Sequence, residues 1–428
     1  MAAISNTELL RRVVLGRGLR TALACVAALL VWSPVALAQY GGGSGTDTNP
    51  YRIYTAEQLA QLGRTRADWG KHFVVMQDID LEGYDESNFD LIGHWVGAGE
   101  VDNEPFTGTF DGNGRTISNF RYRDLGPSYV GLFRYVQVGE IRNVKLRNAR
   151  VIGAGAGVGS LVGYLDGASL LDCEVRGANV SGDTRVGGLV GRVDGGVRQC
   201  SSRGYVSGVR YVGGLIGYVA KGNVKASYSK ATVFGSDHVG GVVGAIAQED
   251  GVVNSCYATA DVQGTDYVGG LAGSVINGRL YKSYSASTVS GTRYVGGVTG
   301  STWSLGSVIT CFWDIEASGM TTSAGGTGKT TDELYQADTY FKDGGWDQSL
   351  WLICQGMNYP VFRWQIPVGD LACPDGVELI DFAWFALEWR RQNCNRIDFC
   401  NGTDFDESGA VGFLDLAILA RNWLVGTD

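Results

Sequence analysis

The 428-residue sequence contains only three histidines, and its charged residues, 18% of the total, leave an acidic excess of −9. The histidines, His72, His94 and His238, are widely separated, and no pair of carboxylates recurs at a fixed position. The sequence therefore shows no His-based or Ser-based triad and no acid–base pair of the kind that hydrolytic enzymes use. The acidic balance argues against nucleic acid or an anionic membrane as a partner.

Glycine, in contrast, is abundant and periodic. One phrase returns six times at spacings of 28, 26, 27, 29 and 27 residues. Its copies are Val158-Gly-Ser-Leu-Val-Gly163, Val186-Gly-Gly-Leu-Val-Gly191, Val212-Gly-Gly-Leu-Ile-Gly217, Val239-Gly-Gly-Val-Val-Gly244, Val268-Gly-Gly-Leu-Ala-Gly273 and Val295-Gly-Gly-Val-Thr-Gly300. An eroded copy, Tyr129-Val-Gly-Leu-Phe133, precedes them. Periodicity of this length predicts a solenoid, in which each unit buries its apolar face against its neighbours.

A second register identifies the kind of solenoid. A small residue follows each phrase, and from it apolar positions alternate with polar ones, which is typical of strands with one buried face. These small residues are Cys173, Cys200, Ser227, Cys256, Ser283 and Cys311. Helix is disfavoured because the repeats are rich in glycine and β-branched residues. We predict an all-β fold, a parallel β-helix with rungs of about 27 residues. Serine replaces cysteine freely in this register, so buried thiols are favoured over bridges.

The Val-Gly-Gly-Leu-x-Gly phrase with its small-residue partner resembles the GLUG motif of bacterial exported and surface proteins. The resemblance extends over residues 51–364 and implies an N-terminal cap with first rungs (51–128), a repeat β-helix (129–320) and a C-terminal cap (321–367). Thr55 to Leu62 is predicted to be a capped helix over the open end of the coil. Asp78, Asp80 and Asp111 are the candidate catalytic or metal carboxylates of this part, although turns at the corners of the coil are the favoured interpretation.

The first 38 residues have the pattern of a signal peptide, with four arginines before an apolar run and Ala36-Leu-Ala38 before Gln39. Cleavage would leave a chain of charge −12, because the segment carries four Arg and one Glu. We expect a secreted or cell-surface protein with no membrane insertion after cleavage. Residues 39–50 read as a Gly/Ser-rich linker.

Aromatic residues occupy equivalent positions of successive repeats. Tyr228, Tyr257, Tyr284 and Phe312 directly follow the small residue and point away from the core by parity. They are either a glycan-binding stripe for a polysaccharide or a packing ladder, and packing is favoured. A second ladder, Tyr211, His238, Tyr267 and Tyr294, directly precedes the Val-Gly-Gly phrases. Gly325 to Thr330 imitates a phosphate-binding loop but has Ser323 in place of the first glycine, so we expect an ordinary loop.

Residues 368–428 are predicted to form a separate small module. Asp381 to Trp389 and Asp415 to Trp423 align at a separation of 34, each with helical spacing of apolar residues. The loop before the second helix has the layout of a calcium site, with Asp404, Asp406 and Ser408 offering side-chain oxygens, Ala410 its carbonyl, Asp415 the closing carboxylate and Gly409 the turn. In the first loop Ala372 and Pro374 have no side-chain oxygen to offer, which leaves calcium binding there in question.

This all-α, EF-hand-like pair resembles a type I dockerin repeat pair. The resemblance implies a calcium cofactor and a cohesin-like or cell-surface protein as partner. Cys394 and Cys400 are a candidate disulfide, which leaves Cys354 and Cys373 as partners for each other.

Taken together, these features predict a non-catalytic extracellular scaffold, adhesion or glycan-binding protein that attaches to a partner through its C-terminal module. The alternative is a β-helix polysaccharide lyase or glycoside hydrolase that carries a dockerin. No catalytic residue can be assigned for it, and fold analogy alone does not establish a reaction.

Overall fold

A computed structural model describes residues 39–126, 128–155, 157–303, 305–373, 376–394, 403–406 and 408–425. The predicted signal peptide lies outside these ranges. The dominant element is a parallel β-solenoid, as the repeat predicted, in which strands of successive rungs pair in parallel in two long sheets. Within the described ranges, no helix combines the length and the hydropathy that a membrane span requires.

The first part of the solenoid alternates short strands with four long ones that turn corners of the coil. These strands are β1 (Tyr51–Ile53), β2 (His72–Val75), β3 (Ile79–Asp80), β4 (Thr109–Asp111), β5 (Thr116–Ser118), β6 (Arg121–Asp124), β7 (Tyr129–Val130), β8 (Phe133–Gln137), β9 (Glu140–Arg142), β10 (Lys145–Arg147), β11 (Arg150–Gly153), β12 (Gly157–Gly159), β13 (Val162–Leu171), β14 (Glu174–Gly187), β15 (Val190–Arg198) and β16 (Ser201–Gly213).

From residue 216 onward the rungs are divided more finely, into short strands joined by tight corners. These strands are β17 (Ile216–Val219), β18 (Gly222–Lys225), β19 (Tyr228–Ser229), β20 (Thr232–Phe234), β21 (Asp237–Gly240), β22 (Val243–Ile246), β23 (Gly251–Asn254), β24 (Tyr257–Ala258), β25 (Asp261–Gln263), β26 (Asp266–Gly269), β27 (Ala272–Val275), β28 (Arg279–Tyr281), β29 (Tyr284–Ser285), β30 (Thr288–Ser290), β31 (Arg293–Gly296), β32 (Thr299–Thr302), β33 (Ser307–Ile309), β34 (Phe312–Asp314) and β35 (Thr327–Lys329).

The repeated phrases stack directly on one another. The first valine of each phrase pairs with the first valine of the next, from Val158 through to Val295, and Val130 of the eroded copy pairs with Val158. The glycines between them allow the rungs to approach. A Cβ at Gly214 would lie 2.2 Å from both the Gly241 carbonyl oxygen and Ser229 Oγ, so a larger residue does not fit there without a shift of the backbone.

The small-residue register lies inside the coil. Cys173, Cys200, Cys256 and Cys311 are free and at most 1% exposed, which confirms that they are buried thiols rather than bridges. Where serine replaces cysteine, the hydroxyl joins neighbouring rungs. Ser283 Oγ, for example, accepts a hydrogen bond of 3.0 Å from the Cys256 amide. Each valine or leucine that fills the interior stabilises the stack by about 1.5–3 kcal/mol through burial.

The two ends of the coil differ. At the first end, the predicted helix is present as α1 (Ala56–Arg64), capped by the Thr55 hydroxyl, with Leu59 and Leu62 fully buried in the solenoid core. At the other end, the Thr327 amide donates to the Cys311 carbonyl over 2.9 Å, and β35 pairs with β34. The Gly325 to Thr330 stretch, predicted to be a loop, therefore contains the strand that ends the stack.

The segment after β35 runs along the side of the solenoid and differs from the predicted end cap. We call residues 331–364 the cover segment. It begins with α3 (Thr331–Leu334), which follows the short α2 (Ile315–Ser318) and is shorter than the predicted helix over 331–341. A short π-helix (Thr339–Asp343) and the antiparallel pair β36 (Trp351–Leu352) and β37 (Val361–Phe362) complete it. Its Leu334, Tyr340, Trp346, Trp351 and Phe362 pack on one lateral face of the coil.

The cover segment buries the first aromatic ladder. Tyr257, Tyr284 and Phe312 are 1%, 0% and 6% exposed, and Tyr228 at the edge of the cover is half-buried. The Tyr284 hydroxyl donates to the Pro360 carbonyl over 2.8 Å, and the Tyr257 hydroxyl pairs with the Gln365 amide. Of the possible glycan stripe at Tyr228, Tyr257, Tyr284 and Phe312, the last three are therefore buried, in agreement with the favoured packing interpretation, and only Tyr228 is partly exposed. These rings do point away from the coil, but they form its interface with the cover segment.

The C-terminal module contains the two expected helices, α4 (Leu379–Leu387) and α5 (Phe413–Arg421). Its core is made by residues at equivalent positions of the two halves, 34 apart: Val377 with Val411, and Phe385 with Leu419. The Arg390 amide donates to the Val411 carbonyl, and the Leu424 amide donates to the Val377 carbonyl. Each loop is thus held to the end of the opposite helix.

Candidate functional site

The loop before α5 brings three carboxylates together. One oxygen each of Asp404, Asp406 and Asp415 lies within 4.8 Å of the other two, and Asp404 and Asp415 are 4% and 1% exposed. The backbone turns around them: the Gly409 amide donates to Asp404 over 3.0 Å, and the Asp406 amide donates to Asp415 over 3.0 Å. The loop therefore brings together the three carboxylates that were predicted from the sequence to be ligands.

The donor set suits a hard cation. Within the described ranges, no lysine, arginine or histidine forms an ion pair with these three carboxylates, although burying uncompensated negative charge is costly. Oxygen ligands from alternate loop positions are what calcium prefers. The Ser408 hydroxyl donates to the Ala410 carbonyl over 3.1 Å, which places two further predicted ligand oxygens side by side.

The first loop has backbone hydrogen bonds equivalent to those of the second. Asp381 accepts hydrogen bonds from the Leu371, Ala372 and Glu378 amides at 2.5, 2.8 and 2.8 Å, and Asp370 accepts one from Gly376 at 3.1 Å. The first loop differs in that Ala372, 34 residues before Asp406, offers no side-chain oxygen. Pro374 lies outside the described residues.

A disulfide ties this module to the cover segment. Cys354 of the cover segment is bonded to Cys373 of the first loop. Cys394 is also disulfide-bonded. Its predicted partner, Cys400, lies outside the described residues.

Both helices of the module expose large apolar side chains. Leu379 and Phe413, at equivalent positions of α4 and α5, are 72% and 78% exposed, and the next pair, Ile380 and Leu414, is 51% and 68% exposed. Leu387 near the end of α4 is 78% exposed. Large apolar side chains are thus exposed at equivalent positions of both helices, a feature that candidate interaction surfaces share. The sequence showed the helical period of these residues, but it did not show which of them the small core leaves exposed.

The second aromatic ladder is the one that reaches solvent. We call Tyr211, His238, Tyr267 and Tyr294 the corner ladder. The Tyr267 and Tyr294 rings stack with centroids 4.8 Å apart at 4°, and Tyr294 is 59% exposed. Trp303, 47% exposed, lies 5.7 Å from Tyr267.

The corner ladder is held in an unusual backbone conformation. All four residues have positive φ, between 52° and 57°, which costs a non-glycine residue about 1–2 kcal/mol. Glycine would avoid that cost, so large rings at these corners are a reason to look for function there.

Charged side chains border the corner ladder. Arg293 forms a two-fold ion pair with Asp266, and Arg210 pairs with Asp237 at 3.1 Å. Asp237 Oδ1 lies 2.7 Å from His238 Nδ1. Burial nevertheless lowers the pKa of His238 below its ordinary value, against the opposing effect of Asp237, so the imidazole is neutral near pH 7. The surface therefore combines flat apolar rings with hydrogen-bonding groups.

The three carboxylates of the first rungs have structural partners. Asp78 accepts from the Thr116 amide over 2.8 Å, Asp80 accepts from Asn119 over 2.7 Å, and Asp111 pairs with Arg142 at 2.9 Å. Burial alone would raise the pKa of Asp111, but hydrogen bonds from Asn143 and Arg142 outweigh it and hold the pKa below its usual value. These partners favour the turn interpretation over a catalytic one.

Comparison with known proteins gives partial likenesses. No family model matches the chain. A 208-residue stretch is 33% identical to Halomucin of Haloquadratum walsbyi, covering 41% of this chain and 2% of that protein. A 128-residue stretch is 38% identical to a protein of Evansella cellulosilytica provisionally named a Gly-rich membrane protein, covering 29% of this chain and 14% of that protein. The chain thus spans a small part of the length of both relatives.

Among solved structures, a protein of Bacteroides ovatus provisionally named an immunoglobulin A1 protease is similar at 25% identity. Its TM-score is 0.48, and the match covers 76% of this chain and 96% of that one.

Proposed function

We propose that this chain is a non-catalytic extracellular scaffold, with a GLUG-type solenoid that displays glycan-binding surfaces and a dockerin-like module that attaches it to a partner protein. The observation that carries the proposal is the apolar face of the C-terminal module. Its exposed residues recur at equivalent positions of both helices, as in Leu379 and Phe413. Exposure repeated in this way is costly for a chain that never docks.

Calcium would make that face a fixed surface. Asp404, Asp406 and Ser408 would hold the ion through side-chain oxygens, with the Ala410 carbonyl and the Asp415 carboxylate closing the site. The bound ion would supply positive charge that balances the negative charge of the three carboxylates. Because Asp415 lies in the first turn of α5, this loop would then position the exposed Phe413 and Leu414.

The solenoid would contribute the glycan contact. The faces of sugar rings are partly apolar and stack on aromatic rings, while their hydroxyls need charged or polar partners. The corner ladder offers both, since Tyr267, Tyr294 and Trp303 lie beside the Arg293–Asp266 pair.

The metal part is tested by calorimetric titration of the full-length protein with calcium. We expect one ion to bind, and Asp404→Ala to abolish the heat. The control, Asp261→Ala, removes an exposed carboxylate of the solenoid and should leave the titration unchanged. Absence of heat in the unmodified protein, or equal loss in both variants, would refute the calcium site.

The docking part is tested on a panel of immobilised cohesin modules. We expect retention in calcium, release by a chelator, and loss of retention when Leu379 and Phe413 are both changed to Asp. Calorimetry of the same double variant should still show calcium binding, which separates a damaged face from an unfolded module. Retention that survives the double change would show that the apolar face is not the contact.

A further inference from the structure

A row of cations crosses successive rungs on the face beside the cover segment. Arg147 pairs in register with Arg176, and Arg176 with Arg203. Lys230 follows on the next rung, because Ser202 pairs with Ser229. We call these four residues the cationic ladder; at about 4.8 Å per rung it is roughly 14 Å long. In an acidic chain, four stacked cations are a local reversal of charge.

The upper half of the cationic ladder has no counter-ion. Glu174 contacts both Arg147 and Arg176. Within the part of the chain that the structure describes, neither Arg203 nor Lys230 forms an ion pair with a carboxylate, and both are exposed. Lys230 lies instead over the Tyr228 ring at 5.9 Å. Partial desolvation of its ammonium group, and then repulsion from Arg203 and Arg176, lower the pKa of Lys230. A bound anion would relieve this repulsion.

An open groove adjoins the ladder, between the solenoid face and the cover segment. It consists of two neighbouring cavities of about 410 and 370 Å³ that share Gln199 and Trp364. Basic side chains, including Arg198, Lys225 and Arg363, line the second cavity.

An aromatic floor runs under this groove. Trp364 stacks on Phe362 at 5.5 Å and lies 5.9 Å from Tyr228. The indole Nε1 of Trp364 is buried and has no hydrogen-bond partner among the described residues. A buried donor without a partner usually indicates a missing water or ligand.

We propose that the cationic ladder and this groove bind an acidic polysaccharide, a linear chain of uronate or sulfated sugars that lies along the solenoid axis. Its anionic groups would pair with Arg176, Arg203 and Lys230, and a sugar ring would cover Trp364 and Tyr228. The regular rung spacing suits a polymer with charge at regular intervals, and the aromatic floor suits pyranose rings. The overall charge of −9 disfavours duplex DNA, which would meet repulsion outside the ladder.

This site lies on a different face from the corner ladder and carries the opposite electrostatic character to the calcium loop. A negative result for this site would therefore leave the docking and glycan contacts proposed above unaffected, and the reverse also holds.

The test uses the full-length protein in affinity electrophoresis through gels that contain polygalacturonate, heparin or neutral cellulose derivatives. We expect retardation by at least one acidic polymer, and binding about tenfold weaker when Arg203 and Lys230 are both changed to Gln. The matched control changes Arg115 and Lys221 to Gln, which removes the same charge from exposed positions outside the groove. Sodium chloride should weaken the specific retardation.

Each outcome decides the proposal. Retardation that falls only in the Arg203 and Lys230 variant supports it, and the ratio between polygalacturonate and heparin distinguishes carboxylate from sulfate. Equal loss in the control variant would mean general ion exchange and would overturn it. No retardation by either acidic polymer, or duplex DNA bound as tightly through the same two residues, would overturn it as well. Unchanged melting temperatures of both variants exclude unfolding as the cause.

Discussion

Two tyrosines ten residues apart allow the packing argument to be tested with a single type of substitution. Tyr284 is 0% exposed beneath the cover segment, whereas Tyr294 on the corner ladder is 59% exposed. Tyr284→Ala removes a fully buried ring, a change that costs about 3–5 kcal/mol for aromatic side chains in a core. It also leaves the Pro360 carbonyl without its hydrogen bond, which adds about 1–3 kcal/mol if no water replaces it.

Tyr294→Ala should change the free energy of unfolding by only about 0.5–1.5 kcal/mol, because the substitution removes little more than the stacking contact with Tyr267. Tyr284→Phe gives an intermediate case, since it keeps the ring and removes only the hydroxyl. We expect the order of destabilisation to be Tyr284→Ala, then Tyr284→Phe, with Tyr294→Ala the smallest or equal to the second.

The assay is urea unfolding followed by tryptophan fluorescence. Trp346 and Trp351 are buried in the same cluster as Tyr284, so their share of the emission from the eleven tryptophans reports on the cover segment. The midpoint and the slope are compared together, because repeat arrays can lose two-state behaviour. A cost below about 1 kcal/mol for Tyr284→Ala, or a larger cost for Tyr294→Ala, would refute the assignment of the two ladders.

Two further predictions concern the interior of the coil. Burial raises the pKa of the Cys256 thiol to about 12, so the native protein should resist thiol alkylation at pH 8, and rapid labelling would contradict this. Cys256→Ser should lower the free energy of unfolding by about 1 kcal/mol, whereas Cys256→Asp should prevent folding because it buries a charge. Gly214→Ala should lower the melting temperature strongly, because its Cβ would lie 2.2 Å from the Gly241 carbonyl oxygen. Gly196→Ala should leave the melting temperature nearly unchanged, because its Cβ would lie 3.9 Å from the nearest atom. Equal melting temperatures of the two variants would be evidence against close contact between the rungs.

The solenoid could be predicted from the sequence because every rung imposes the same local demand. The first valine of each phrase pairs with the first valine of the next, so the pattern from Val158 to Val295 carries the register directly. The convergence of Asp404, Asp406 and Asp415 could also be predicted from the sequence, because the three carboxylates lie within twelve residues of chain. Both are cases in which local spacing determines what meets in space.

The fate of the first aromatic ladder was not local. Parity correctly gave the outward direction of Tyr257 and Tyr284, but their burial depends on residues far along the chain. Tyr284 is bonded to Pro360, 76 residues further on, and Tyr257 to Gln365, 108 residues further on. Aromatic richness of residues 346–364 was the available signal that this segment needed an apolar surface. This segment packs on the side of the coil rather than on its end, and the repeat pattern alone does not determine that packing.

The corner ladder has a sequence feature from which its position at the surface could have been predicted. A large residue directly before Val-Gly-Gly, as at Tyr267 and Tyr294, occupies a corner where positive φ favours glycine. Aromatic rings at this corner in consecutive repeats favour a role at the surface. The first aromatic ladder, in which each ring follows a cysteine or serine, belongs instead to the interface with the cover segment.

The central claim, that the solenoid binds glycans without transforming them, is tested most directly by one combined measurement. Full-length protein is incubated with a panel of purified polysaccharides, and both retention on each polymer and release of new chain ends are measured. We predict retention without new chain ends on at least one neutral polymer, lost when Tyr267 and Tyr294 are both changed to Ala, with the fold intact. Release of chain ends that disappears in Asp111→Asn would contradict the claim and establish the enzyme alternative.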